Sequence, residues 1–290
     1  MTACGVHARR MTDTKFNWDQ MAVMIEREGE VYESAVRQAA QWLAEREVPV
    51  RRVLDVGSGP GVATCVWAEV FPEAEVVAVD GSAALLERAR TRADRLGVTI
   101  GTLHAELPEG FTELGEADLI WTSQAMHHLG DQQGALTALA KLLRPGGVLA
   151  VAEGGLPARY LPRDIGIGRP GLLTRIAAAT DLWFTRMRVE LPSHSAEVED
   201  WPGMLAAAGL GSGATRSFLV DLPAPVDTKV REHLRDWLDR VHHKIADGLL
   251  DEEDQAVIAR LLDPEDPAGL MRRPDVFLLA ARTVYAARKD

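Results

Sequence analysis

The run VLDVGSGPG, Val53 to Gly61, holds residues whose types and spacing suit ligand chemistry. Gly57, Gly59 and Gly61 stand in GxGxG spacing between an apolar run and the helical run VATCVWAEVF. A glycine loop between strand and helix lets the backbone approach a ligand and aims amide groups at it. A dinucleotide fingerprint places Gly or Ala where this chain has Val62. Asp55 sets negative charge beside the loop, where a bound cation would be welcome. Asp80 ends the next extended run, AEVVAVD, and could accept hydrogen bonds from both hydroxyls of a ribose. A ligand with a ribose, an amino group and a positive centre fits these residues better than a pyrophosphate.

A second group lies in DLIWTSQAMHHLGD. Ser123 and Gln124 end an extended run, at the edge where open α/β sheets bind ligands. His127 and His128 follow, and histidine can serve as a general base near neutral pH. Packing, hydrogen bonding or shaping of a cofactor pocket are the other roles open to them. His194, His242 and His243 stand apart from these, and no HExxH or comparable spacing occurs, so no metal site is expected. Cys4 and Cys65 form no CxxC pattern, which argues against a zinc site or a disulfide framework. Cys65 reads as a small core residue.

The elements that must position these groups alternate between helical and extended patterns. Residues 31–47 read as a helix, followed by strands at 51–57, 74–80, 98–104, 117–123 and 148–153. Helices at 62–71, 82–97 and 131–143 separate them, with Asp131 as N-cap and Gly97 just past a helix end. Such alternation predicts βαβ units and a parallel sheet covered on both faces. The second half predicts helices at 172–188, 195–208 and 251–262 and strands at 214–222 and 275–288. Val226, Val230, Leu234, Trp237, Leu238, Val241 and Ile245 make the apolar stripe of a further helix. The acidic run DEEDQ suits a helix N-terminus.

A chain of 290 residues that is 47% hydrophobic can bury a sizeable core. A net charge of −11 argues against a general nucleic-acid or anionic-membrane binder. Arg90, Arg92 and Arg95 read as a solvated helix face. No apolar run reaches the ~20 residues of a membrane span. The first ten residues lack the apolar region of a signal peptide and read as a loose tail, with Met11 an equally good start. The expectation is a cytoplasmic monomer or homodimer.

Four blocks in order resemble the class I S-adenosylmethionine-dependent methyltransferases: VLDVGSGPG, VVAVDGS, DLIWTSQAMHHLGD and LLRPGGVLAVAE. The resemblance implies a Rossmann-like, mostly parallel seven-stranded α/β sheet whose last strand is antiparallel. It implies S-adenosylmethionine as cofactor, with Asp55 and Gly57 facing its methionine end and Ser58, Gly59 and Gly61 shaping the loop. Asp80 would bind the ribose, with Gly81 and Ser82 beside the adenosine and Ser123 and Gln124 at the edge of the site. Many relatives carry an acid and Ala near the adenine; this chain reads LHAELP. His104 or the backbone of Ala105 would then meet the adenine, or Glu106 would substitute. Methyl transfer from such a cofactor is an in-line displacement with a neutral leaving group, so alignment and exclusion of water matter most. A base, His128 or His127, is required only for an acceptor that arrives protonated.

Acceptor specificity is expected in three added pieces: the N-terminal segment (1–30), the insertion 155–194 and the helical insertion 223–274. The core would then comprise 31–154, 195–222 and 275–290. Trp18, Met21, Met24, Tyr32, Trp183, Phe184, Met187 and Trp237 give these pieces an aromatic and methionine-rich character. They pack a lid onto the core or line an apolar pocket for a small organic acceptor. The pieces are expected to form a helical cap over the carboxyl edge of the sheet. The leading expectation is O-methylation of a small molecule such as a secondary metabolite. A protein or RNA acceptor, and a non-methylating or cyclase-like member of the fold, are the alternatives.

Overall fold

The computed structural model describes residues 18–45 and 49–290, with side chains from Met21 onward. The expected tail, with Cys4 and Met11, lies outside the described residues. The strands are β1 (Arg52–Val56), β2 (Glu75–Asp80), β3 (Gly101–His104), β4 (Ala117–Ser123), β5 (Leu143–Arg159), β6 (Gly211–Leu222) and β7 (Leu278–Arg288). They form one seven-stranded sheet in the order β3-β2-β1-β4-β5-β7-β6. β1 to β5 pair in parallel, and β7 runs antiparallel to both β5 and β6. The expected α/β sheet with an antiparallel last strand is the observed one.

The helices are α1 (Trp18–Ala44), α2 (Val62–Val70), α3 (Ala83–Leu96), α4 (Gln132–Leu142), α5 (Leu172–Val189), α6 (Trp201–Ala207), α7 (Thr228–Arg240) and α8 (Glu252–Leu262). Alternation along β1 sends Val53 to one face and Leu54 and Val56 to the other. Val53, Val76, Leu119 and Trp121 join a core shared with α1 and α2. Leu54, Val56, Val77 and Ile120 join a second core shared with α4 and α6. Asp55 shares its parity with Val53 and so lies on the α2 face.

Several boundaries differ from the sequence reading. α1 begins at Trp18 rather than residue 31 and takes in residues 18–30. Gly29 does not break it but lets it pack closely, because a Cβ there would lie 2.8 Å from Val62 Cγ2. β5 continues six residues past Glu153, since β7 pairs with Gly155, Leu156 and Arg159. The helix expected from 195 starts only at Trp201, capped by Asp200; upstream, the Ser195 amide donates to the Gly130 carbonyl instead. The stripe expected to run to Ile245 ends in a π-helical turn at Val241–Ile245.

Sheet order reverses between β1 and β4. The chain leaves β1 toward β2 on one side, while β4 and β5 lie on the other. This switch point opens a crevice at the carboxyl ends of β1 and β4. The glycine loop and the Ser123–His128 segment both stand there.

Candidate cofactor and acceptor site

The glycine loop is held tightly. The amides of Gly57 and Ser58 both donate to the Val79 carbonyl, at 2.9 and 3.0 Å. The Gly59 amide donates to Asp80 Oδ2 at 2.9 Å, and the Gly61 amide to the Ser58 carbonyl at 3.1 Å. Pro60 has no amide hydrogen. Every amide from 57 to 61 is therefore spent within the protein. The sequence suggested that this loop aims donors at a ligand; the structure gives it none to offer a pyrophosphate. Gly57 has φ +74°, and a Cβ there would fall 2.5 Å from Ala125 Cβ. That closeness joins the loop after β1 to the segment after β4. Gly61 meets α3 in the same way, 2.5 Å from Ala89 Cβ. Ile25 of α1 lies over the loop, its Cγ2 3.4 Å from a Cβ built on Gly59.

Asp55 is 2% exposed and accepts from Thr64 Oγ1 of α2 at 2.6 Å. Burial pushes its pKa up to about 7, against the Thr64 bond and with help from the Asp80 charge. Asp80 accepts one amide on each carboxylate oxygen, from Gly59 and from Ser82 at 2.8 Å. Burial raises its pKa as well. Each oxygen keeps a lone pair for a further donor. Ser82 uses its hydroxyl to cap α3.

His104 is exposed, and its Nε2–H donates to the Gly81 carbonyl at 2.8 Å. Ala105 is buried, and its amide donates to the Asp80 carbonyl. The Glu106 carboxylate lies over Gly81, 3.1 Å from where a Cβ would stand. These three residues thus gather at the joined ends of β2 and β3.

Across the crevice, Gln124 adopts φ +52°, and its amide and side-chain Nε2 both donate to the Ala152 carbonyl, at 3.0 and 3.2 Å. Ser123 beside it is partly buried. Glu153 of β5 is 4% exposed. Its Oε1 accepts the amides of Ala125 and Met126, each at 2.9 Å, and its Oε2 lies 3.0 Å from His127 Nδ1. The His127 ring packs against Phe184 of α5 at 5.5 Å and against His128 at 4.2 Å. The buried Arg188 donates to the carbonyls of His127 at 2.8 Å, Leu129 and Gly130. Glu153 and Arg188 together fix the histidine segment from two elements. His128 is exposed, yet the protein crowded about it and the neighbouring His127 push its pKa down to about 4. It is neutral at pH 7.

The residues expected against an acceptor divide. Tyr32 is buried, with the Arg282 guanidinium 4.1 Å from its ring centroid and the His233 ring edge-on at 5.8 Å. Trp183 and Trp237 are partly buried against the larger core. Phe184, not its neighbour Trp183, makes the contact with His127. Arg240 stands over Trp237 at 6.0 Å and meets no carboxylate among the described residues. Met24 and Met187 are partly buried. Trp18 opens α1, but its side chain lies outside the described residues.

Sequence reasoning gave no role to Glu153 or Arg188. An acid closing the apolar run VLAVAE at the carboxyl edge was the available signal for Glu153. Arg188 gave none, because its partners lie about sixty positions away and are backbone carbonyls. No cluster able to hold a metal occurs among the described residues.

The site suits S-adenosylmethionine on its own terms. Asp80 offers acceptor capacity, the loop offers no anion hole, and the buried Ser58 hydroxyl has no partner among the described residues. Comparison with known proteins agrees. Residues 53–147 match the model of a methyltransferase domain family. A trans-aconitate 2-methyltransferase of Methylobacterium radiotolerans is 31% identical over 258 residues, 88% of this chain and 86% of the relative. A ribosomal protein L11 methyltransferase of Symbiobacterium thermophilum is 34% identical over 166 residues, covering 57% of this chain and 46% of that protein. In fold, a Nostoc punctiforme protein provisionally designated an O-methyltransferase aligns with TM-score 0.50 and 21% identity, over 69% of this chain and 56% of that one. The chain belongs to the class I S-adenosylmethionine-dependent methyltransferases.

Proposed function

We propose that the enzyme methylates an oxygen of a small organic acceptor, of the kind met in secondary metabolism. The acceptor would be held between the crevice and the segments 1–30, 155–194 and 223–274. When bound, S-adenosylmethionine supplies an activated methyl group with a neutral sulfur leaving group. Gly57–Gly61 and Asp80 would hold it, while Asp55 supports the loop from beneath. His104, Ala105 and Glu106 would flank the adenine. What remains for the chain is to orient the acceptor, exclude water and, for a hydroxyl acceptor, take a proton.

The observation that carries this reading is the anchored histidine pair. Glu153 fixes His127, and His128, its ring 4.2 Å away, is neutral at physiological pH and so free to accept a proton as a weak base. Two further features favour an acidic acceptor. Arg240 lacks a carboxylate partner among the described residues, and the Methylobacterium relative is named for trans-aconitate, a carboxylic acid. A carboxylate oxygen is already a nucleophile and needs no base, so the two kinds of acceptor make different demands on His128.

We assign α1, α5 and α7 to a cap. Contacts of Phe184 with His127, Tyr32 with His233, and Ile25 over Gly59 support this. The expected borders at 30/31 and 154/155 fall inside α1 and β5, so cap and core are continuous there.

The deciding experiment is methyl transfer to a panel of carboxylic acids, phenols, amines and a protein substrate, by the wild type and His128→Ala. Transfer to a hydroxyl that His128→Ala loses identifies His128 as the base. Transfer to a carboxylate that the variant retains identifies an acid acceptor. Transfer only to nitrogen or to protein refutes the proposal. Cofactor binding without transfer to any of them favours a non-methylating role.

A further inference from the structure

The opposite edge of the sheet carries a recess that the methyl-transfer site does not use. It encloses about 490 Å³ and is lined by Arg51, Arg52, Arg144 and Arg288, with Glu75 and Asp118 among them. These residues stand at the starts of β1, β2, β4 and β5 and at the end of the antiparallel β7. β1 is five residues long, so this edge lies roughly 17 Å from the glycine loop.

The charges in the recess do not cancel. Glu75 is taken by Arg52 Nε at 2.9 Å. Asp118 is taken by Arg144 at 2.9 Å and by the amides of Arg51 and Arg52. Arg52 spends its remaining reach on the carbonyls of Leu114 and Glu116. Arg51 and Arg288 are exposed, and neither guanidinium has an acidic partner among the described residues. Among the described residues, four cations thus face two satisfied acids in one concave surface of a chain whose net charge is −11.

The floor is shaped for this. Gly146 of the RPGG turn has φ +79°, and a Cβ there would lie 3.0 Å from Arg288 Nη2. The missing side chain lets the guanidinium lie across the turn. Among the described residues the lining holds no aromatic ring, and its apolar side chains are those of Pro49 and Pro145. A ligand here would be recognised by charge and not by stacking of a base.

We propose that this recess binds a compact polyanion of the di- or triphosphate class. Arginine forks match phosphate oxygens, and the two unpaired guanidinia supply the donors that the paired ones lack.

Calorimetry on the full chain with sodium pyrophosphate and tripolyphosphate at about 0.15 M salt, where surface charge is well screened, tests this. Saturable binding is expected, with the same affinity when the protein is saturated with S-adenosylmethionine. Arg51→Ala with Arg288→Ala should weaken it roughly ten-fold or more, with unchanged Tm and unchanged cofactor affinity. Arg288→Lys should retain part of it. No saturable binding at millimolar probe, equal binding by the double variant, or competition with S-adenosylmethionine would each overturn the assignment. Citrate binding as tightly as tripolyphosphate would overturn the phosphate class, and tighter binding of duplex DNA would point to a nucleic-acid surface instead.

Discussion

Glu153 is the residue on which the histidine segment depends. It is almost wholly buried, and its two oxygens take three donors, two backbone amides and the His127 ring. Replacing it by Ala would strand those amides in a desolvated place, at about 1–3 kcal/mol each. Glu153→Gln keeps one oxygen acceptor and should cost less. Both variants should lower kcat more than they weaken S-adenosylmethionine binding, because the loop proposed to hold the cofactor is hydrogen-bonded to β2 instead. Steady-state kinetics beside cofactor calorimetry checks this; equal loss of both would show that Glu153 supports the whole crevice.

Asp55 makes a prediction about pH. Its carboxyl ionises near 3.8 ordinarily and is pushed to about 7 in the folded protein. Between those values the folded state holds the proton more tightly than the unfolded state. Stability from this residue is thus greatest below about pH 4, falls as pH rises to about 7, and levels off above. Asp55→Asn keeps an acceptor for Thr64 and removes the titration. Its Tm should match the wild type near pH 4 and exceed it at pH 8, measured without cofactor. The same difference at both pH values would show that Asp55 titrates normally.

At the scale of elements, α1 is tied down by charge. Arg92 of α3 is 5% exposed and reaches Glu30 at 2.8 Å and Glu26 and Glu33 at 3.3 Å, all on α1. Arg88 joins Glu26, while Lys229 and Arg27 link α1 to α7. The sequence suggested that Arg90, Arg92 and Arg95 form a solvated face; for Arg92 that is wrong, because α1 covers it. Arg92→Met would remove the buried cation that three glutamates share, leaving Glu26 to Arg88, Glu30 to Lys229 and Glu33 to Arg37. Breaking such a pair costs roughly 3–5 kcal/mol when fully buried, and about 2–3 here because the glutamates keep some water. Thermal denaturation should show a fall of roughly 5–10 °C. A change under about 1 °C would mean that packing alone holds α1.

The same elements show what a sequence reveals. Strands β1, β2 and β4 and helices α2 to α4 were legible because their signals are local: apolar runs, the Asp131 cap and the Gly97 stop. The Asp80–Gly59 hydrogen bond was not, because the sequence set Asp80 against a ribose and joined it to no glycine 21 positions away. The start of α1 was not, because Gly29 and Trp18 carry no sign that a neighbouring helix will reward continuation. The Glu153–His127 pair was not, because it joins β5 to the turn after β4, 26 positions apart. Long-range pairs between polar residues leave no periodicity to read.

At the scale of the molecule, the parallel sheet has two chemically distinct ends. The carboxyl end has a loop with no spare donors and two raised carboxylates, which favours a ligand carrying positive charge and hydroxyls over a phosphate. The amino end gathers arginines. Because the crevice proposed for the cofactor is assembled from β1, β2, β4 and α1 at once, binding there should stabilise the fold as a whole. A ligand at one hundred times its Kd adds about 2.7 kcal/mol, which for a chain of this size raises Tm by roughly 5–10 °C. S-adenosylmethionine and its demethylated product should both produce that shift in the wild type. Asp80→Ala removes the acceptor at the loop and also strands the Gly59 and Ser82 amides. Its own Tm should therefore fall, and the cofactor-induced increment should shrink at equal ligand concentration. Asp80→Asn separates the two effects: it keeps an oxygen for one amide, so its Tm should fall less, while loss of the charged acceptor should still shrink the increment. An increment equal to the wild type in both variants would place the ribose hydroxyls elsewhere in the crevice, with Asp80 serving only to shape the loop.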